Sequence, residues 1–231
     1  MSYFINIETS TDICSVALSS DNQVIDYEEN HNRNHASTLA AFIEKVLKRN
    51  NLTTKQLSAV ATSLGPGSYT GLRIGTSTAK GMAYAADIKL ITVDTLKAMA
   101  KKAAENFKNE KAIIVSCIDA GRNEVYSEIF DVNNNVLRSC QAELIEKNSF
   151  QEYFDDNYKV VFAGNASEKI SKIIENSNAV FLFDVLPSAR YMAELTFKAF
   201  SDKQFADVAY FEPFYLKDFI ATVSKKNVLK T

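Results

Sequence analysis

Four of the seven glycines fall at positions 65, 67, 71 and 75, and the segment Gly65-Pro66-Gly67-Ser68-Tyr69-Thr70-Gly71 is the only glycine cluster in the chain. A glycine-rich turn between a strand and a helix lets backbone N–H groups approach an anion at the helix N-terminus. The same glycines also suit a turn that needs close packing and positive φ, and spacing alone does not separate these readings. No Gly-Lys-Ser/Thr follows, so the segment is not a Walker A loop. Glu8, with Thr9, Ser10 and Asp12 beyond it, offers a seat for hydrated magnesium or a phosphate-linked water, or simply a hydrogen-bonded cap on the turn. His31 and His35 are the only histidines, and their spacing of four suits a metal pair. A strand ends near the first and a helix begins near the second, and no Cys or third His lies close, so metal ligation is the weaker reading. No Ser-His-Asp constellation is legible.

The elements that must position these residues follow from periodicity. Residues 3–8, 14–20 and 23–29 read as a three-strand meander with a tight turn at Asp21-Asn22. Leu39, Phe42, Ile43, Val46 and Leu47 mark one apolar face of a helix that ends near Asn50-Asn51. A strand at 57–64 leads through the glycine segment into a helix at 72–86. A strand at 89–93 and a helix N-capped by Asp94 and running to about 107 complete the unit. A similar order of elements then restarts. Strands at 112–119, 124–131 and 136–145 form a second meander, followed by a strand at 159–163, a helix at 167–176, a strand at 179–183 and a helix at 188–200. The expected division is a first lobe at 1–105, a smaller second lobe at 106–200 and a tail at 201–231 of undetermined packing. The helix after the glycine segment also carries Gly71, Gly75, Ala79 and Ala83 four apart, a flat stripe where another backbone can come close. Packing within the lobe is the default reading of that stripe, and a partner surface is the other.

Composition narrows the functional classes. The chain has 231 residues, 46% hydrophobic and 23% charged, with 7 Gly and 3 Pro, which leaves no case for disorder or a flexible linker. Twenty-six basic and 28 acidic residues give a net charge of −2, without the cationic surplus of a protein that grips nucleic acid by itself. Cys14, Cys117 and Cys140 are odd in number with no C-x-x-C spacing, so neither a disulfide framework nor a zinc knuckle is expected, and a reducing cytoplasm fits best. No apolar run approaches a membrane span.

The first strand and turn (Phe4-Ile5-Asn6-Ile7-Glu8-Thr9-Ser10-Thr11), Cys14-Ser15-Val16-Ala17-Leu18, His35 and above all Leu64-Gly65-Pro66-Gly67-Ser68-Tyr69-Thr70-Gly71-Leu72-Arg73-Ile74-Gly75 resemble the bacterial TsaB (YeaZ) family. Ala163-Gly164-Asn165-Ala166 looks like that family's reduced second-lobe loop, and Pro213-Phe214-Tyr215-Leu216-Lys217 like its Pro-x-Tyr-Leu-Arg tail with Lys for Arg. Ala36-Ser37 departs from the Ser-Glu that commonly follows the histidine.

The resemblance implies an α/β, two-lobed fold of the actin, hexokinase and Hsp70 (ASKHA) superfamily, each lobe a mixed sheet opened by a meander. It implies a non-catalytic cytoplasmic subunit in the synthesis of N6-threonylcarbamoyladenosine on tRNA. The expected partners are a TsaD-like transferase, a TsaE-like ATPase, a second copy when alone, and tRNA only through the complex. The partner surface it suggests comprises His35, Leu72, Arg73, Gly75, Thr76, Ala79 and Ala83. In TsaD two histidines in Val-Asn-His-x-x-x-His bind the metal. Here Thr95 and Met99 stand in that register, poor ligands for a hard or borderline ion, so neither metal nor other cofactor is expected. The rival reading is an autonomous enzyme, a small ATP-dependent phosphotransferase or a glycoprotease-like metallopeptidase.

Overall fold

The computed structural model describes residues 1–31, 34–122 and 124–216. The first half runs β1 (Tyr3–Glu8), β2 (Cys14–Ser20), β3 (Gln23–Asn30), α1 (His35–Arg49), β4 (Ala59–Gly65), α2 (Tyr69–Ala86), β5 (Lys89–Asp94) and α3 (Thr95–Ala104). The second runs β6 (Ala112–Asp119), β7 (Glu124–Asp131), β8 (Val136–Leu144), α4 (Gln151–Asp155), β9 (Lys159–Ala163), α5 (Ser167–Ser171), β10 (Ala179–Leu182) and α6 (Ala193–Ser201). Each half builds a five-stranded sheet, ordered β3-β2-β1-β4-β5 in one and β8-β7-β6-β9-β10 in the other. In both, the meander pairs antiparallel, and the two later strands add in parallel beside its first strand. The repeated order of elements read from the sequence is therefore a repeat of topology.

The expected lobe boundaries do not coincide with the packing, because each half sends its last helix to the other half's sheet. α1 and α2 cover one face of the first sheet, through Leu39, Ile43, Val46, Ala79 and Ala83 against Ile5, Ile7, Val16 and Val60. The opposite face, with Phe4, Ala17 and Ile91, needs its own cover, since strands buried on both sides must be sheathed on both. α6, placed by sequence in 106–200, supplies it. Phe4 meets Phe200 edge-on at 5.1 Å, and Thr196 Oγ1 donates to Asn6 Oδ1 at 2.6 Å in the buried seam. Reciprocally, Leu96, Met99, Ala100 and Ala103 of α3, placed in 1–105, pack on Ile114, Ile118, Phe130 and Val161 of the second sheet.

Smaller differences have local causes. α2 starts at Tyr69, three residues early, because Ser68 Oγ caps it by accepting from Gly71 N–H. α5 stops at Ser171, five residues short, where an Asn176 turn closed by Asn178 N–H draws the chain into β10. Asp94 caps α3 as read, accepting from Lys97 N–H at 2.8 Å. The tail returns to the first lobe: Ala206 bridges Leu90 at the β5 edge, and Phe214 N–H donates to Leu64 O at 2.8 Å. Lys217 of the tail motif, with Lys225, Lys226 and Lys230, lies outside the described residues.

Candidate functional site: the glycine loop and the two-helix face

The glycine loop lies on the β1–β2 turn. Ser68 N–H donates to Ser10 O at 2.6 Å, and a Cβ on Gly67 would drive into Ser10 O and lie 2.7 Å from Ser10 Cβ. A Cβ on Gly71 would meet Thr9 O in the same way. These glycines let two backbones touch, and the N–H groups of Ser68, Gly71 and Leu72 are taken by Ser10 O, Ser68 Oγ and Ser68 O. Gly65 has φ +108 and faces the Phe214 carbonyl, so the tail clamps the far side of the loop. The close-packing reading of the cluster thus accounts for its glycines, and three of its donors are spent on the fold.

Glu8 is 1% exposed, and its Oε1 accepts from Ser10 N–H at 2.6 Å. Burial pushes its carboxyl above the ordinary value, against the hydrogen bonds from Ser10. Its geometry is that of a turn cap. The two histidines part company: His31 is exposed and pairs with Glu29 Oε1 at 3.3 Å, whereas His35 is buried with Nε2 bonded to Thr11 O at 2.7 Å. Among the described residues no group of three or more His, Cys, Asp or Glu is placed to hold a metal ion. Thr95 and Met99 are both buried, Met99 in the apolar core beneath α3.

Between the lobes lies a cleft of about 370 Å³ lined by Ser10, Asp12, Gly67, Asp119, Tyr126 and Asn165 among others. Its charged lining residues are both acidic, and Asp119 Oδ1 is held by Lys169 Nζ at 2.5 Å. The reduced second-lobe loop packs as tightly as the first: Asn165 Oδ1 accepts from Asp119 N–H at 2.9 Å, and a Cβ on Gly164 would strike Cys117 O.

Deeper in the seam, Glu128 on β7 is 8% exposed, and burial, with Asp94 beside it, pushes its carboxyl up to about 7, while Lys97 opposes the shift. The folded protein therefore holds this proton more tightly than the unfolded chain, whose group titrates near 4.5. The stability it contributes is complete below that value and is lost as pH rises toward 7. Glu128→Gln should raise the melting temperature at pH 8 by roughly 5–10 °C more than at pH 5. Equal effects at the two pH values in thermal melts would refute the buried, proton-holding carboxyl.

The stripe Gly71, Gly75, Ala79 and Ala83 faces inward. A Cβ on Gly75 would collide with Thr9 Oγ1 and sit 3.4 Å from Thr62 Oγ1 and 3.5 Å from Ile7 Cγ2. Leu72, Gly75, Thr76, Ala79 and Ala83 are all buried within this chain, as is His35. Of the seven residues expected on a partner surface, Arg73 alone is exposed. The small residues are needed because α2 lies directly on β1 and β4, where only a thin helix face fits. Outward on α2 stand Ser77, Gly81 and Ala85, a second small-residue strip, and a Cβ on Gly81 meets nothing within 4 Å. On α1 the exposed residues include Ser37, Ala40 and Ala41. This outer strip was missed because on one sequence two offset small-residue stripes are equally visible, and only the sheet says which is covered.

Two sheets of this order, each opened by a meander and exchanging their last helices, define a two-lobed α/β protein with the actin-, hexokinase- and Hsp70-like (ASKHA) fold. The activator of the 2-hydroxyisocaproyl-CoA dehydratase from Clostridium difficile shares the fold at a TM-score of 0.51, 11% identity, 87% of this chain and 96% of that one. YeaZ from Pseudomonas aeruginosa superposes at a TM-score of 0.78 with 23% identity, covering 94% of this chain and all of that one. The family model for TsaD, tRNA N6-adenosine threonylcarbamoyltransferase, matches residues 25–225. The tRNA threonylcarbamoyladenosine biosynthesis protein TsaB of Haemophilus influenzae is 31% identical over 226 residues, 92% of each chain. The chain belongs to the TsaB (YeaZ) family, within the wider family that the transferase model describes. Among the described residues no helix is long and apolar enough to cross a membrane.

Proposed function

We propose that this chain is a non-catalytic subunit of the machinery that makes N6-threonylcarbamoyladenosine on tRNA, binding and supporting a TsaD-like transferase in the cytoplasm. The observation that carries this reading is the combination of family membership with a core in which the metal register is filled by buried Thr95 and Met99. The donors spent within the glycine loop point the same way, since they are not free to bind the phosphates of ATP. The transferase docks on the outer faces of α1 and α2, where Ser37, Ala41, Ser77, Gly81 and Ala85 allow helices to approach closely. The same face serves a second copy when the chain is alone, and a TsaE-like ATPase joins the assembled pair.

The test is reconstitution with a TsaD-like transferase, a TsaE-like ATPase, threonylcarbamoyl-adenylate and tRNA, with and without this chain. Product formation should depend on its presence, and the isolated chain should turn over neither ATP nor peptides. ATP hydrolysis by the chain alone would favour the phosphotransferase reading, and peptide cleavage the metallopeptidase.

A further inference from the structure

A face built of Ser37, Ala41, Ser77, Gly81 and Ala85 lets helices approach closely, yet each of these side chains buries little apolar area. The residues that dominate binding at protein interfaces are by contrast mostly tryptophan, tyrosine and arginine. On α1 and α2 together the one large hydrophobic side chain left exposed is Tyr84, at 85%. It is three residues beyond Gly81 and adjoins Ala85, so it stands about 60° around the helix from the middle of the small-residue strip, on the side where Lys80 holds the tail.

The tail presents a second ring. Lys80, one turn before Tyr84, donates from Nζ to Ala209 O at 3.0 Å, and Tyr210, the next residue, is 86% exposed. The backbone under Tyr210 is fixed from within: Asp207 Oδ1 accepts from the N–H groups of Ala209 and Tyr210 at 2.7 and 2.9 Å, and Phe211 N–H donates to Asp207 O at 3.0 Å. Ahead of this turn Ala206 pairs with Leu90. Beyond it Tyr215 packs on Tyr69 at 4.9 Å, and its hydroxyl accepts from Arg73 Nε at 3.4 Å. The tail is thus held on both sides of Tyr210, and a ring carried by an ordered backbone is bound without the entropy cost of ordering that segment. Leaving two whole tyrosine rings in water forfeits the burial that such side chains normally gain.

Charge on this flank cancels. Arg73, Lys80 and Lys89 are matched in number by Asp87, Asp207 and Glu212, and Arg73 and Lys80 already serve the tail. Such a surface has no surplus of cations to draw a polyanion, and it has the aromatic content of the buried centre of a protein interface. We propose that Tyr84 and Tyr210 are the aromatic anchors of the surface that binds the TsaD-like transferase, which seats its helices on the small-residue strip and closes over both rings. The docking surface then runs from α1 across α2 onto the tail. This inference rests on the reading of the chain as a transferase-binding subunit, and the transferase is favoured over other occupants because Tyr84 is continuous with the strip that reading assigns to it.

The test is the affinity of the full chain for a TsaD-like transferase by titration calorimetry, with thermal melts on the same samples. Tyr84→Ala with Tyr210→Ala should weaken binding by about 30-fold or more at an unchanged melting temperature, because both rings stand in water in the isolated chain. Tyr84→Phe with Tyr210→Phe should stay within about fivefold of the parent, since the ring supplies most of the area to be buried. A double alanine variant that binds the transferase as well as the parent overturns the anchors. It does so even if that variant loses self-association, the TsaE-like ATPase or RNA instead, since each of those results gives the rings to another occupant. Gly81→Arg measured alongside tells the two failures apart: lost affinity in Gly81→Arg with full affinity in the double alanine variant removes the anchors and leaves the proposed function standing. A parent chain that does not bind the transferase overturns both.

Discussion

Gly75→Leu should lower the melting temperature of the isolated chain by roughly 6–12 °C, and leave the affinity of the surviving folded fraction for a TsaD-like transferase nearly unchanged. The first carbon of any side chain at 75 already overlaps Thr9 Oγ1 and touches Thr62 and Ile7, and leucine adds three more carbons in the same place. Overpacking costs typically about 1–3 kcal/mol and sometimes more, and the gain from replacing a helical glycine, at most about 1 kcal/mol, offsets only part of it. We take about 3 kcal/mol as the net loss, which for a chain of this size corresponds to the stated shift. The colliding atom on Thr9 is a hydroxyl with no hydrogen-bond partner, so Thr9→Ala should restore much of the stability lost in Gly75→Ala. Calorimetry together with a binding isotherm on one sample checks both halves. An unshifted melting temperature with lost affinity would put Gly75 on the surface after all.

That expectation reverses the partner reading of the stripe, and the reason shows where sequence stops being informative. Strands β1, β2 and β6 and the cap Asp94 were legible because their signals are local: apolar runs, turn residues, and a side chain bonded three residues on. The order β-β-β-α-β-α-β-α was legible in the first half for the same reason, and in the second except for the short helix α4, whose five residues are too few to show a helical period. The glycine cluster was legible as a turn, but its packing on Thr9 and Ser10 depends on a strand some 60 residues away. Nothing in the pattern of Phe197 and Phe200 says which sheet they cover, because an apolar helix face states only that it is covered. The tail was opaque for a similar reason, since its contacts with Leu90, Lys80 and Leu64 are single hydrogen bonds spread along an irregular strand. Periodicity fixes which residues share a face, and the fold then chooses that face's neighbour.

Gly81→Arg should do the opposite of Gly75→Leu on the same helix: leave the fold intact and cut transferase binding by about 30-fold or more, the scale of an interface hot spot. A Cβ at 81 meets nothing within 4 Å, so the arginine projects from the isolated chain into water. Replacing a helical glycine is then favourable by up to about 1 kcal/mol, and the melting temperature should hold or rise slightly. The position lies between Ser77 and Ala85, one turn either side, and in the proposed complex close helix approach depends on these small side chains. A long cation there holds the helices apart, or is buried unpaired, and both cost affinity. Gly81→Ala adds one methyl group and separates these effects: a mild loss with alanine and a severe one with arginine is the signature of a tight helix contact. Modified tRNA made by the reconstituted enzymes should fall with Gly81→Arg at limiting concentrations of this chain and recover when it is supplied in excess, because occupancy rather than chemistry is impaired. Full affinity in the arginine variant would place the transferase on another face and remove the two-helix surface from the proposed function.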